Sequence, residues 1–160
     1  RGSAEKTGLS GSPESGRPVA DLPRSASTEA VFTNRRILLV EDHPLNAEIA
    51  TRMLTKKGIQ VELAINGREA VAKFEHSSQN YYDLILMDIR MPVMDGREAT
   101  KEIRRLHRLD AMTVPIIAMT ADAFDGDVNR SLQSGMNDQL NKPVEPKALY
   151  GMLEQYWRRT

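Results

Sequence analysis

Aspartate 88 closes the apolar run Leu84-Ile85-Leu86-Met87, after which Pro92 and Gly96 turn the chain sharply. A carboxylate at the tip of a buried strand is a cap, a metal ligand or a nucleophile, and its neighbours decide which. Three other strand candidates end in reactive groups: Glu41-Asp42, Thr120-Ala121 and Lys142-Pro143. Singly, each has a plain explanation. Asp42 and Thr120 can cap helices, Asp88 can be a turn residue, and Lys142 can be a surface lysine. Gathered at one edge of one sheet, they fit a more specific chemistry. Carboxylates from Glu41, Asp42 and Asp88 repel one another at close range and require a divalent cation. Oxygen ligands without His or Cys suit Mg²⁺. Lys142 supplies a point charge for a carboxylate or phosphoryl oxygen. The Thr120 hydroxyl and the Ala121 backbone N–H can donate to an oxygen carried on Asp88. Together these are the groups that phosphoryl transfer to a carboxylate needs.

The elements that must position them alternate between two periods. Ile37–Val40, Gln60–Ala64, Leu84–Met87, Pro115–Met119 and Asp138–Leu140 read as strands, three of them apolar throughout, as in a parallel sheet buried on both faces. Helical spacing fills the intervals. Pro44 opens one helix, with Leu45, Ile49 and Met53 as its expected buried stripe and Gly58 beyond its end. Ala99, Ile103 and Leu106 mark the core side of another, whose opposite charges (Lys101, Glu102, Arg104, Arg105 and Arg108) are expected to face solvent. Glu145-Pro146 opens the last helix, which buries Leu149, Leu153 and Trp157. Five strand–helix units imply an open, doubly wound α/β sheet. Ligands bind such a sheet at the carboxyl ends of its strands, near the point where strand order reverses.

Composition narrows the partners. The chain has 160 residues, 40% of them apolar and 28% charged, with a formal net charge of zero. Neither nucleic acid nor an anionic membrane is expected to bind a surface so balanced. No cysteine is present, which removes disulfides and thiolate chemistry and fits a reducing, cytoplasmic location. No apolar run approaches the roughly 20 residues that span a bilayer. Residues 1–34, rich in Gly, Ser and Pro, are expected to be a disordered linker or tail, and residues 35–160 the folded domain.

The motifs Leu39-Val40-Glu41-Asp42, Met87-Asp88-Ile89-Arg90-Met91-Pro92-Val93-Met94-Asp95-Gly96, Ile117-Ala118-Met119-Thr120-Ala121 and Asn141-Lys142-Pro143 closely resemble the receiver domain of two-component response regulators. The resemblance implies a flavodoxin-like (βα)5 fold with strand order 2-1-3-4-5. It implies Asp88 as phosphoacceptor, with Glu41, Asp42 and the backbone carbonyl of Arg90 joining it around Mg²⁺. Thr120 would be the switch hydroxyl, Lys142 the phosphate-contacting lysine, and the Lys142–Pro143 peptide cis. A histidine kinase or histidine phosphotransfer protein would be the phosphoryl donor or acceptor. The wording of the Asp88 and Gly135-Met136-Asn137-Asp138 motifs, with a flexible lead-in and no domain after the last helix, resembles the tail of a hybrid sensor histidine kinase.

Departures qualify that picture. Gln139 stands where the family commonly has the Tyr or Phe that turns inward on activation. Arg90 and Asp122, two residues after Asp88 and Thr120, are expected to pair over the phosphoryl group. His43 reads as a helix-start residue, with partner contact as the alternative, and His76 and His107 need no role. A stand-alone regulator and a pseudo-receiver working only by protein contacts stay open. A haloacid-dehalogenase-type phosphatase usually needs a second Asp two residues after the first, where this chain has Arg90. No phosphate-binding Gly-Lys-Ser/Thr loop is present.

Overall fold

In the computed structural model of the chain, residues 31–121 and 134–158 are described. Nearly all of the expected linker lies outside them, as do Asp122 and residues 123–133. Strands β1 (Arg36–Val40), β2 (Gln60–Ala64), β3 (Leu84–Asp88), β4 (Ile116–Thr120) and β5 (Asp138–Asn141) form one sheet. Its order is β2-β1-β3-β4-β5, and every neighbouring pair is parallel. This is the flavodoxin-like order that the motifs imply. The described helices are α1 (Pro44–Lys56), α2 (Gly67–Glu75), α3 (Gly96–Arg104), the short α4 (Leu109–Thr113) and α5 (Pro146–Trp157).

Both sheet faces are covered, which is why β1, β3 and β4 read as unbroken apolar runs. Leu38, Val40, Ile85, Met87, Ile116 and Ala118 pack with Ala70 and Phe74 of α2 and Ala99 and Ile103 of α3. Alternation sends Ile37, Leu39, Leu84, Leu86 and Ile117, all fully buried or nearly so, to the opposite face. There Leu149, Leu153 and Trp157 of α5 are buried, as their spacing predicts. Phe32, inside the stretch assigned to the lead-in, is buried too, with ring centroids 6.2 Å from Tyr150 and 6.0 Å from Trp157. The Tyr150 hydroxyl joins α5 to α1 by donating to the Met53 carbonyl at 2.9 Å.

Two expectations need correction. The buried side of α1 is Ala47, Ala50 and Leu54, while Leu45 and Ile49 are 58% and 44% exposed. Alanines let the helix backbone approach the sheet closely, so the larger side chains are displaced to the rim. The charges along and just beyond α3 are not all solvated either. Arg104 donates to the carbonyls of Gly135 and Ala111 (both 3.0 Å) and to Asn137 Oδ1 at 2.8 Å. Arg108 lies over the Phe74 ring and donates to the carbonyls of Phe74, Ser77 and Ser78. It also forks onto Asp110 at 2.9 and 2.7 Å. These two arginines close the far end of the domain.

Candidate functional site

The register of the sheet brings the reactive groups together. β1 and β3 are neighbours with Val40 opposite Met87, so the next residues, Glu41 and Asp88, emerge side by side. The strand order reverses there, since β1 is followed by β2 on one side and by β3 on the other. Asp88 lies opposite Met119 in β4, which sets Thr120 one step further out. Thr120 in turn lies opposite Asn141, so Lys142 follows at the same edge. One carboxylate oxygen from each of Glu41, Asp42 and Asp88 lies within 4.8 Å of the others. The Lys142 ammonium reaches Glu41 Oε1 at 3.1 Å and Asp88 Oδ2 at 3.3 Å. Arg90, Thr120 and Ala121 complete the walls of a cleft of about 220 Å³. All seven residues predicted for the site therefore meet. The Lys142–Pro143 peptide is cis, as expected. Asp122, the proposed partner of Arg90, lies outside the described residues.

The electrostatics of this cleft are unbalanced. Glu41 and Asp88 are 3% and 4% exposed, so two carboxylates share little water. Burial, and then the Glu41 charge, push the Asp88 carboxyl up to about 7 against the opposing pull of Lys142. Burial works against the Lys142 ammonium, yet Asp88 and Glu41 hold its pKa above the ordinary lysine value. Three carboxylates against one lysine leave an excess of negative charge, and an all-oxygen donor set that a hard divalent cation satisfies.

The loop after β3 is shaped for this site. Gly96 donates its N–H to the Ile89 carbonyl at 2.8 Å, and a Cβ at Gly96 would collide with the Asp88 backbone carbonyl. Asp95 caps α3 by accepting from the Glu98 N–H at 2.9 Å. Two residues before Asp95, Val93 adopts φ 70° and is 71% exposed, with the Met94 N–H donating to the Pro92 carbonyl at 2.7 Å. A β-branched residue held left-handed costs on the order of 1–3 kcal/mol. His43 is the residue before α1, as its helix-start reading requires, and its N–H donates to Glu41 Oε2 at 3.1 Å. Sequence reasoning misses Asn46, which lines the cleft from the first turn of α1. The available signal is an asparagine where a helix favours other residues.

Among known families, the response regulator receiver domain model matches residues 37–154. Hybrid signal transduction histidine kinase I of Dictyostelium discoideum is 40% identical over 122 residues, which cover 74% of this chain. They make up 7% of that kinase, so the chain spans a small fraction of its relative's length. The crystal structure of the receiver domain of sensor histidine kinase PA1611 from Pseudomonas aeruginosa, with a magnesium ion in its active-site cleft, is 44% identical. It superposes with a TM-score of 0.71, covering 78% of this chain and 98% of that one. The Saccharomyces cerevisiae Ssk1 receiver domain, crystallised with the histidine phosphotransfer protein Ypd1, is 33% identical with a TM-score of 0.70. That match covers 79% of this chain and 91% of the other.

Proposed function

The chain belongs to the response regulator receiver domain family, and on that premise we propose that it takes a phosphoryl group from phosphohistidine onto Asp88. The observation that carries the proposal is the Asp88 carboxylate itself, 4% exposed at the end of β3 and held between Lys142 and Glu41. An Asp88 oxygen forms a bond to phosphorus while the N–P bond breaks, and its electron pair stays with the departing imidazole. Lys142 faces the negative oxygens throughout. The Thr120 hydroxyl and Ala121 N–H would donate to the phosphoryl oxygens once they arrive. Glu41, Asp42, Asp88 and the Arg90 carbonyl would hold Mg²⁺, which when bound offsets the negative charge of both the acids and the transferring group.

A phosphohistidine must be carried to this cleft by a protein surface. On α1 the exposed Ile49 lines a groove with Glu41, and Leu45 on α1 and Val93 on the strained loop are exposed apolar side chains as well. A histidine phosphotransfer protein or a histidine kinase domain is the partner we assign to them. The parent chain is proposed to be a hybrid sensor histidine kinase, in which this domain passes phosphoryl groups between histidines. Gln139, half-buried on β5, makes readout through an inward-turning aromatic ring unavailable, so switching is assigned to Thr120 and Lys142. The test is transfer of labelled phosphate from a phosphorylated histidine phosphotransfer protein in Mg²⁺. Wild type takes up acid-stable, base-labile label; Asp88→Asn takes up none. Label on Asp88→Asn at the wild-type rate overturns the assignment.

A further inference from the structure

We infer that the carboxamide of Asn46 binds the phosphoryl group in transit, making it a contact residue for the transfer, an inference that rests on Asp88 being the acceptor. Asn46 is the third residue of α1 and forms part of two adjoining walls. One belongs to the cleft with Glu41, Asp42, Asp88, Thr120 and Lys142. The other belongs to the smaller groove with Glu41, Ile49, Met119, Lys142 and Pro143. Glu41, Asp88 and Lys142 there are already engaged with one another. Lys142 holds Glu41 and Asp88, and Glu41 also accepts from the His43 N–H. The Asn46 carboxamide, by contrast, has no hydrogen-bond partner among the described residues.

Nothing local accounts for it. Asparagine is a poor helix former because its side chain competes for backbone hydrogen bonds. Position 46 is past the cap position, which His43 occupies without any side-chain capping bond. A half-buried amide that lines a charged cleft and has no protein partner among the described residues is available to a ligand there. The chemistry also suits the occupant. A phosphoryl group brings three oxygens with several lone pairs each, more acceptor capacity than Lys142, Thr120 and the Ala121 N–H fill. An amide donates two hydrogens without charge. It therefore meets an anionic oxygen from the α1 side without competing with Lys142 for the acids or with a cation for its ligands.

Phosphoramidate separates this contact from protein docking, because it carries the same phosphoryl group with no protein attached. Asp88 Oδ bonds to phosphorus, the P–N bond breaks, and the pair stays on nitrogen, which leaves as ammonia. At saturating Mg²⁺, Asn46→Ala should slow this reaction about tenfold, the scale of one hydrogen bond to a charged group. Its Mg²⁺ affinity by calorimetry should stay within twofold of wild type, and its affinity for beryllofluoride, a phosphoryl mimic, should fall. Asn46→Asp should be slower still, although an acid in the first turn leaves the helix as stable or more so. Rates within twofold of wild type for both variants overturn the inference. So does a loss seen only with a phosphorylated protein donor, which would make Asn46 a docking residue. Asp88→Asn, run alongside, reports separately on the acceptor: label on it would sink the underlying reading instead.

Discussion

At the carboxyl ends of the strands three carboxylates crowd together and one lysine reaches two of them, whereas at the amino ends Arg108 meets the single carboxylate of Asp110 and a row of backbone carbonyls. Both ends bury charge, but they balance it differently. Asp110 is held below the usual carboxylate range, because the Arg108 fork and the Asn80 N–H outweigh the effect of burial. Asp88 is pushed above that range, because burial and Glu41 outweigh Lys142. Arg104 has no carboxylate partner among the described residues, yet each arm of its guanidinium meets an oxygen. The far end thus uses charge to lock α2, α3 and the start of β5 together. The site end keeps charge unmatched, and so keeps affinity for a cation and a phosphoryl group in reserve.

The largest expected effect comes from breaking the satisfied end. Arg108→Ala strands Asp110, 5% exposed, without its cation and uncaps the carbonyls that close α2. Because Arg108 itself is 17% exposed, the loss belongs at the low end for a buried pair, about 3 kcal/mol in urea denaturation. Phosphotransfer well below the melting temperature should be unchanged. If Arg108→Ala instead cost no more than a surface charge, the two ends would not differ in the way described.

The opposite sign is expected at the site. Asp88 has a raised pKa in the folded protein, about 7 against 3.8, so folding favours its protonated form. Its contribution to stability is therefore fully present below about pH 4 and is lost as pH rises through about 7. With chelator present, Asp88→Asn should stabilise the domain at pH 8 by about 1–3 kcal/mol, the usual cost of a poorly compensated buried group. The gain should shrink toward pH 4, and Mg²⁺ should close the gap by stabilising wild type. Lys142 keeps Glu41 at 3.1 Å, which is why removing the Asp88 charge does not strand it. Equal melting of the two proteins at pH 8 would refute the imbalance.

The site end is legible in the sequence and the far end is not, for a physical reason. Glu41-Asp42, Asp88 and Thr120 each stand at the end of an apolar run and Lys142 follows the short strand Asp138–Asn141, and a parallel sheet delivers such positions to one edge whatever the loops do. The strands and the last helix are legible for the same reason, since their periods are local. Arg104 and Arg108 depend on carbonyls about thirty residues distant in the chain, at Gly135 and at Phe74 to Ser78. A charged helical stretch looks identical whether water or such an array lies opposite. The buried side of α1 fails differently. Hydrophobicity favours Leu45 and Ile49, but close approach to the sheet favours Ala47 and Ala50. Val93 escapes because a turn at Pro92 to Gly96 is foreseeable, while the residue that takes the left-handed angle is not.

The smallest effect sharpens the comparison by leaving both ends out of it. Glu48 and Arg52 lie one turn apart on α1 with an ion pair at 2.6 Å, shorter than either contact of Lys142. Their side chains are 55% and 78% exposed, however, so water competes for every hydrogen bond. Arg52→Ala should cost only about 0.3–0.5 kcal/mol, and that difference should vanish in molar salt. Distance alone would rank this pair above Arg108–Asp110 at 2.7 Å, and burial reverses the order. A cost above about 1 kcal/mol at high salt would mean that separation, rather than surrounding solvent, governs these pairs, and the contrast between the two ends of the sheet would lose its physical basis.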